Sequence, residues 1–127
     1  MKDKLVVEIS VAVVDDDASL RNALVSLLQA FDYHAKGFDN AESFLESAES
    51  ETTDCLITDI QMSGMNGIEL NRVLRQRRGP FPVIIMTALQ GKLALDSARE
   101  SHPVCVLSKP FESHQLLGCL DRVFSKF

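Results

Sequence analysis

The chain alternates five short strand-like runs with five longer segments in which apolar residues recur every three or four positions. The short runs, rich in valine and isoleucine, are typical of parallel strands covered on both faces. They lie at residues 9–14, 33–38, 54–58, 82–86 and 104–107. The helical segments lie at residues 18–31, 41–45, 66–76, 91–100 and 112–127. This alternation predicts an α/β fold, a doubly wound five-stranded parallel sheet with helices on both faces.

Local signals place the faces and ends of several elements. The apolar residues that share one face of the first helix are Leu20, Leu24, Leu27, Leu28 and Phe31. Their spacing of three and four places all five on one helical face. Asn40 is a predicted N-cap of the second helix, with Glu42 in the first turn, where a negative charge is favourable.

Composition and charge narrow the class of protein. With 127 residues, 46% hydrophobic and 24% charged, the chain is expected to be one domain over residues 1–127, without an output domain. Acidic residues outnumber basic ones by 18 to 13 and no basic run occurs, so direct nucleic-acid binding is not expected. No apolar run approaches the ~20 residues of a membrane span, and the N-terminus lacks a secretory signal. A cytoplasmic location without membrane contact is therefore expected.

The three cysteines form no recognisable metal or redox motif. Cys55 and Cys105 lie in strand-like runs, Cys119 lies in a helical pattern, and no two are spaced as CxxC. Free cysteine is among the residues most often buried. All three are therefore expected to be buried, reduced thiols.

Polar side chains follow four of the five predicted strands. Asp15 and Asp16 follow the first strand, Asp59 the third, Thr87 the fourth and Lys109 the fifth. Ligands of such sheets bind beyond the carboxyl ends of the strands, so these residues are expected to converge. Converging carboxylates repel one another unless a cation neutralises them, and Mg²⁺ suits a few carboxylate oxygens together with a phosphate oxygen. Lys109 and the Thr87 hydroxyl would then hold other oxygens of that phosphate.

Four motifs, each at the end of a predicted strand, resemble those of the receiver domains of two-component response regulators. They are residues 13–17 (VVDDD), 59–67 (DIQMSGMNG), 86–88 (MTA) and 108–111 (SKPF). The resemblance covers nearly the whole chain, and its opening is similar to receivers that precede a DNA-binding helix-turn-helix output domain. It implies the flavodoxin-like (βα)5 receiver fold with strand order 2-1-3-4-5.

The resemblance also implies a function. Asp59 would accept a phosphoryl group from the phosphohistidine of a sensor histidine kinase, from a phosphotransfer protein or from a small phosphodonor. Asp16, the Asp59 carboxylate and the Gln61 backbone carbonyl would ligate Mg²⁺. Asp15 would act through metal-bound water, and Asp17 would be a bystander. The domain would be no enzyme beyond catalysing its own phosphorylation and slow dephosphorylation.

Activation is expected to change one surface of the domain. Lys109 would pair first with the acidic residues and then with the phosphoryl oxygens, while Thr87 would swing inward to bond the phosphate. This would shift the surface made by the fourth helix, the fifth strand and the fifth helix, which could bind a partner, an output domain or a second copy of the chain. Val106 stands where the family usually has a switching Tyr or Phe, so this face is expected to signal by a backbone shift or to dock its partner differently.

Other positions also depart from the family pattern. Ser63 stands where a proline is usual, which should loosen the loop after Asp59 without removing a chemical group. The turn at residues 100–103 (ESHP) lacks the usual glycine. Leu89 and Gln61 occupy positions that flank the path of hydrolytic water. Because Leu89 is apolar, slow self-dephosphorylation is expected.

Each site residue also has a purely structural interpretation, since a single aspartate after a strand is often only a helix N-cap. Two other functions fit parts of the sequence pattern. A Mg²⁺-dependent phosphohydrolase with an aspartyl-phosphate intermediate uses a similar sheet. However, Gln61 stands where its second aspartate is expected, and no cap domain is present. A receiver-like adaptor that binds its partner without phosphorylation is favoured by Val106 and the altered turn, but the intact acidic set argues against it.

Overall fold

Strands and helices alternate along the chain in the computed structural model, which describes residues 8–88 and 92–124. The strands are β1 (Ser10–Val14), β2 (His34–Phe38), β3 (Cys55–Asp59), β4 (Val83–Thr87) and β5 (Cys105–Ser108). The helices are α1 (Ala18–Ala30), α2 (Ala41–Glu46), α3 (Glu49–Thr52), α4 (Gly67–Arg78), α5 (Lys92–Glu100) and α6 (Ser113–Val123). The surface predicted from the fourth helix, fifth strand and fifth helix therefore corresponds to α5, β5 and α6.

The five strands form one parallel sheet. β1 pairs with β2 and β3, and β4 pairs with β3 and β5, giving the order β2-β1-β3-β4-β5. This confirms the predicted doubly wound sheet and the strand order 2-1-3-4-5. In such a sheet, the carboxyl ends of all strands lie at the same edge.

Alternating side chains divide the core into two layers, one on each face of the sheet. Val11 and Val13 of β1 face the layer covered by α1 and α6, which contains Leu24, Leu28, Leu116 and Leu120. Ala12 and Val14 face the other layer, to which α2, α4 and α5 contribute Phe44, Leu70, Leu74 and Ala98. Both faces of β3 and β4 are buried, which explains why these strands are apolar until they reach the carboxyl edge, where β3 ends in Thr58 and Asp59 and β4 ends in Thr87.

Side-chain caps begin three of the helices. Asp17 caps α1 by accepting hydrogen bonds from the backbone N–H groups of Ser19 and Leu20, at 3.0 and 3.2 Å. Asn40 caps α2, as predicted, by accepting from the Ser43 N–H at 2.7 Å. Asn66 and Glu69 form a reciprocal capping box at the start of α4.

Two predictions about the helices need correction, and one helix was not predicted. Phe31, expected on the buried face of α1, is 48% exposed, because the helix ends at Ala30 and its periodicity no longer orients the next residue. The short helix α3 was not predicted, because four polar residues carry no apolar periodicity. The last helix ends at Val123 rather than at residue 127, and residues 125–127 lie outside the described part of the chain.

The prediction of three reduced thiols is wrong for two of them. Cys105 in β5 and Cys119 in α6 are joined by a disulfide, with their Cα atoms 6.0 Å apart. This separation is within the usual range for a bridge, and it arises because α6 packs back onto the strand that precedes it. Cys55 is a free, buried thiol, as predicted.

None of the described helices combines the length and apolar character needed to cross a membrane.

Candidate functional site

The carboxyl edge of the sheet brings together the polar residues that follow its strands. Asp15 comes directly after β1, Asp59 and Thr87 are the last residues of β3 and β4, and Lys109 comes directly after β5. Asp15, Asp59 and Thr87 are buried. Each is held in position by strand pairing: the Lys109 N–H, for example, donates to the Thr87 carbonyl oxygen at 2.8 Å and extends the β4–β5 ladder.

Lys109 joins two of the acidic side chains. Its Nζ lies 3.1 Å from Asp15 Oδ2 and 3.0 Å from Asp59 Oδ1. Asp15 is fixed further, because its Oδ1 accepts a hydrogen bond from the Asp17 N–H at 2.9 Å. The ammonium group therefore bridges the ends of β1 and β3 from the end of β5.

Asp15, Asp16 and Asp59 form a carboxylate cluster. One oxygen from each lies within 4.8 Å of those of the other two. Asp15 and Asp59 are buried, whereas Asp16 is exposed and borders the cluster on the solvent side. The third aspartate of the run, Asp17, is occupied as the N-cap of α1. The convergence predicted from the strand ends is therefore present for Asp15, Asp16, Asp59 and Lys109.

The electrostatics of the cluster favour additional positive charge. Burial raises the pKa of the Asp59 carboxyl; the Lys109 ammonium opposes this shift, and the charges of Asp15 and Asp16 reinforce it. Burial alone would lower the pKa of Lys109, but its hydrogen bonds to Asp59 and Asp15 outweigh that effect, and the pKa is raised. Both groups thus hold their protons more tightly than usual. Because one ammonium group does not neutralise three carboxylates, the cluster would be stabilised by a further cation.

This donor set fits a divalent metal ion. Hard carboxylate oxygens are the ligands that Mg²⁺ prefers, and an excess of negative charge on partly buried groups favours its binding. Asp15, Asp16 and Asp59 are the residues in position to hold such an ion, directly or through water. The Gln61 backbone carbonyl, two residues after Asp59, remains a predicted further ligand.

The loop between β3 and α4 is held by contacts that the sequence did not reveal. The Gly67 N–H donates to the Ile60 carbonyl oxygen at 3.0 Å, and a Cβ on Gly67 would overlap with the carbonyl oxygen of Asp59. Glu42 of α2 accepts a hydrogen bond through Oε2 from the Met65 N–H at 3.0 Å. Glu42 was expected only to favour the start of α2. The loop that lacks the usual proline at Ser63 is therefore anchored by a side chain from a neighbouring helix.

The predicted switch residues lie on the same side of the sheet but in different surroundings. Thr87 is buried at the end of β4, and Val106 of β5 is partly buried against the layer formed by α2, α4 and α5. His102, in the turn that lacks glycine, has φ 60°, a conformation that favours glycine. Leu89, on which the expectation of slow dephosphorylation rests, lies outside the described residues.

A doubly wound five-stranded sheet with a partly buried carboxylate cluster and a paired lysine at its carboxyl edge is typical of a receiver domain. The sequence profile of the response regulator receiver domain matches residues 11–121. The chain belongs to this family.

Similarity to individual proteins supports this family assignment. The chain is 33% identical to the transcriptional regulatory protein FixJ of Bradyrhizobium diazoefficiens over 109 residues, covering 86% of this chain and 53% of FixJ. It is 37% identical to the DNA-binding transcriptional regulator NtrC of Escherichia coli over 115 residues, covering 91% of this chain and 24% of NtrC. Among solved structures, the chemotaxis protein CheY4 of Vibrio cholerae matches with a TM-score of 0.84 and 25% identity, covering 93% of this chain and all of that one. The chain thus spans about half of FixJ and a quarter of NtrC.

Proposed function

We propose that this domain accepts a phosphoryl group on Asp59 in a two-component signalling system. The main support is the carboxylate cluster bridged by Lys109 at the carboxyl edge of a receiver-family sheet. Acceptance of a phosphoryl group mainly requires positioning and charge neutralisation, and both can be supplied by groups in this cluster.

The reaction is a displacement at phosphorus. A carboxylate oxygen of Asp59 attacks the phosphorus atom of a phosphohistidine, the P–N bond breaks, and the imidazole leaves and gains a proton. The product is an acyl phosphate on Asp59. Lys109 follows the developing charge by moving its hydrogen bonds from the carboxylates to the phosphoryl oxygens, and the Thr87 hydroxyl donates to another of these oxygens.

The proposed cofactor is Mg²⁺, held by Asp15, Asp16 and Asp59 with the Gln61 carbonyl. When bound, it supplies positive charge next to the transferred group. The chain's own contribution is to fix the carboxylates: strand pairing holds the backbone, the Asp17 N–H and Lys109 orient Asp15, and Gly67 permits the close return of α4 to Asp59.

The proposed partners are a sensor histidine kinase or phosphotransfer protein as donor and an output element as receiver of the signal. FixJ and NtrC are named as transcriptional regulators, which makes transcription regulation the output we favour. We expect the signal to be carried by the face of α5, β5 and α6, which could also form a homodimer, and the protein to act in the cytoplasm. Self-phosphorylation and slow dephosphorylation are its only proposed catalytic activities.

Intact mass spectrometry after incubation with acetyl phosphate tests the proposal. Wild type should gain one phosphoryl group in the presence of Mg²⁺ and none with EDTA, and Asp59→Asn should gain none. Asp39→Asn is the matched control, because Asp39 follows β2 at the same edge of the sheet but is not part of the cluster. It should be phosphorylated as wild type.

Absence of an adduct, with acetyl phosphate and with candidate kinases, would contradict the proposal and favour the phosphorylation-independent adaptor. An adduct that persists in Asp59→Asn would place the acceptor elsewhere.

A further inference from the structure

The Cys105–Cys119 disulfide lies within the face through which the domain is proposed to signal. Cys105 is the first residue of β5 and precedes Val106, while Cys119 lies in the middle of α6. The bridge therefore joins covalently two of the three elements of that face. No metal or catalytic role in the carboxylate cluster involves either residue.

Solvent can approach this pair along a groove between β5 and α6. The groove has a volume of about 460 Å³ and is lined by both cysteines together with Val106, His114, Gly118 and Arg122. Gly118 lines this groove without a side chain, and the space beside it is open, since a Cβ at this position would meet nothing within 4 Å. Cys105 and Cys119 are 9% and 5% exposed.

Arg122 gives Cys105 a cationic neighbour. Its Nη1 lies 3.3 Å from Cys105 Sγ. A guanidinium group at this distance stabilises a thiolate, which is the reactive form in thiol–disulfide exchange. Cys55 differs from this pair in both access and reactivity. It is completely buried in β3, and burial raises the pKa of its thiol to about 12.

We infer that Cys105 and Cys119 form a reversible dithiol–disulfide pair that exchanges with small disulfides such as oxidised glutathione. The Cys105 thiolate attacks one sulfur of the small disulfide, forming a mixed disulfide and releasing one thiolate. The Cys119 thiol loses its proton and attacks Cys105 Sγ, which closes the internal bridge and releases the second thiolate. The protein is oxidised by two electrons, the small disulfide is reduced to two thiols, and the two protons from the protein go to solvent or to these products.

Oxidation would restrict the face of α5, β5 and α6. With the bridge closed, α6 cannot shift freely relative to the start of β5, whereas two thiols leave non-covalent contacts between them, among them the one between Arg122 and Cys105. Because Val106 supplies no aromatic switch, the signal is expected to depend on such backbone shifts. This consequence rests on the proposed function, whereas the exchange chemistry does not.

Redox titration tests the pair directly. The full chain is equilibrated at different ratios of reduced to oxidised glutathione, quenched with acid, denatured, alkylated with N-ethylmaleimide and weighed. We expect three alkylated cysteines under reducing conditions and one, Cys55, under oxidising conditions, with a reversible transition. The control Cys55→Ser should change from two alkylated cysteines to none.

Two results of this titration would overturn the inference. Three free thiols at every ratio would mean that the bridge does not form. A bridge that resists dithiothreitol in the folded protein would mean that it is structural and not exchangeable.

Arg122 variants test the assignment of the attacking thiol. Oxidation by glutathione should be several-fold slower in Arg122→Gln and should recover in Arg122→Lys, which keeps the charge. Equal rates in all three proteins would overturn the assignment to Cys105.

Amide NMR tests the effect on signalling. Phosphorylation by acetyl phosphate should produce smaller shifts over β5 and α6 in the oxidised form than in the reduced form, and identical shifts would overturn the regulatory part of the inference. If no phosphoryl adduct forms in either state, the proposed function fails, whereas the glutathione titration stands or falls independently.

Discussion

Asp59 lies where a negative charge is costly to the fold. Its carboxylate is buried beside Asp15 and Asp16, and the Lys109 ammonium compensates for it in part. The raised pKa of Asp59 follows first from this burial and second from the neighbouring charges. The buried negative charge that would favour the proposed cation and phosphoryl group at Asp59 therefore reduces the stability of the metal-free domain.

This cost predicts that Asp59→Asn is more stable than wild type in EDTA at pH 7, by roughly 1 kcal/mol, the order expected for desolvation of a partly compensated polar group. A folded-state pKa above the unfolded one means that the contribution of Asp59 to stability is present below its unfolded pKa and is lost as pH rises through its folded pKa. The two proteins should therefore converge in stability near pH 4, where the unfolded aspartate takes up its proton. Urea unfolding at both pH values measures the difference.

Asp39→Asn is the control for this measurement, because it removes an exposed carboxylate outside the cluster. It should change stability little at either pH. An Asp59→Asn variant that is less stable than wild type at pH 7 would mean that the Lys109 pairing outweighs the burial of the charge.

Individual site residues were predictable where a strand end placed them. Asp15, Asp59 and Lys109 follow apolar runs, and the geometry of a parallel sheet brings the ends of such runs together. Asp17 was expected to be a bystander, and its role as the cap of α1 was not assigned, because the preference for aspartate at a helix start applies equally to its neighbours. The Cys105–Cys119 bridge was not predictable, since it depends on how α6 packs against β5.

The elements themselves were predictable to the extent that burial imposes a pattern. β3 and β4 are covered on both faces and are therefore short apolar runs, while α1 and α6 bury one stripe each. The short α3 buries little more than Ser50, so no pattern marked it. The anchoring of the β3–α4 loop by Glu42 joins residues from different elements, and local sequence does not specify such contacts.

Two helical glycines differ in the space around them, so replacing each by alanine should change the free energy of unfolding in opposite directions. Gly67→Ala should lower the free energy of unfolding by roughly 1–3 kcal/mol, because the new methyl group overlaps with the Asp59 carbonyl oxygen and must displace the backbone. Gly118→Ala, in α6, meets open space and should raise it by roughly 0.5–1 kcal/mol through helix propensity. Chemical denaturation of both variants measures the contrast. Equal effects of the same sign would mean that α4 can retreat from Asp59 without cost.

At the scale of the whole molecule, the fold keeps apart two regions for which different functions are proposed. The carboxyl edge gathers charge from β1, β3 and β5, while the face of α5, β5 and α6 carries Val106 and the disulfide. β5 belongs to both regions, because Lys109 follows directly after its last residue. The proposed movement of Lys109 towards the phosphoryl group would therefore act on the same strand that forms the outer face.

The same architecture predicts that Mg²⁺ stabilises the whole domain through Asp16. A ligand that binds only the folded state adds about 2.7 kcal/mol at a concentration one hundred times its Kd. Asp16 is exposed, so Asp16→Asn should leave the metal-free fold nearly as stable as wild type, yet it removes one of the three carboxylates of the cluster. Thermal unfolding with and without Mg²⁺ should therefore show a gain for wild type and for Asp39→Asn that is largely lost in Asp16→Asn. An undiminished gain in Asp16→Asn would mean that the Asp16 carboxylate does not hold the stabilising ion.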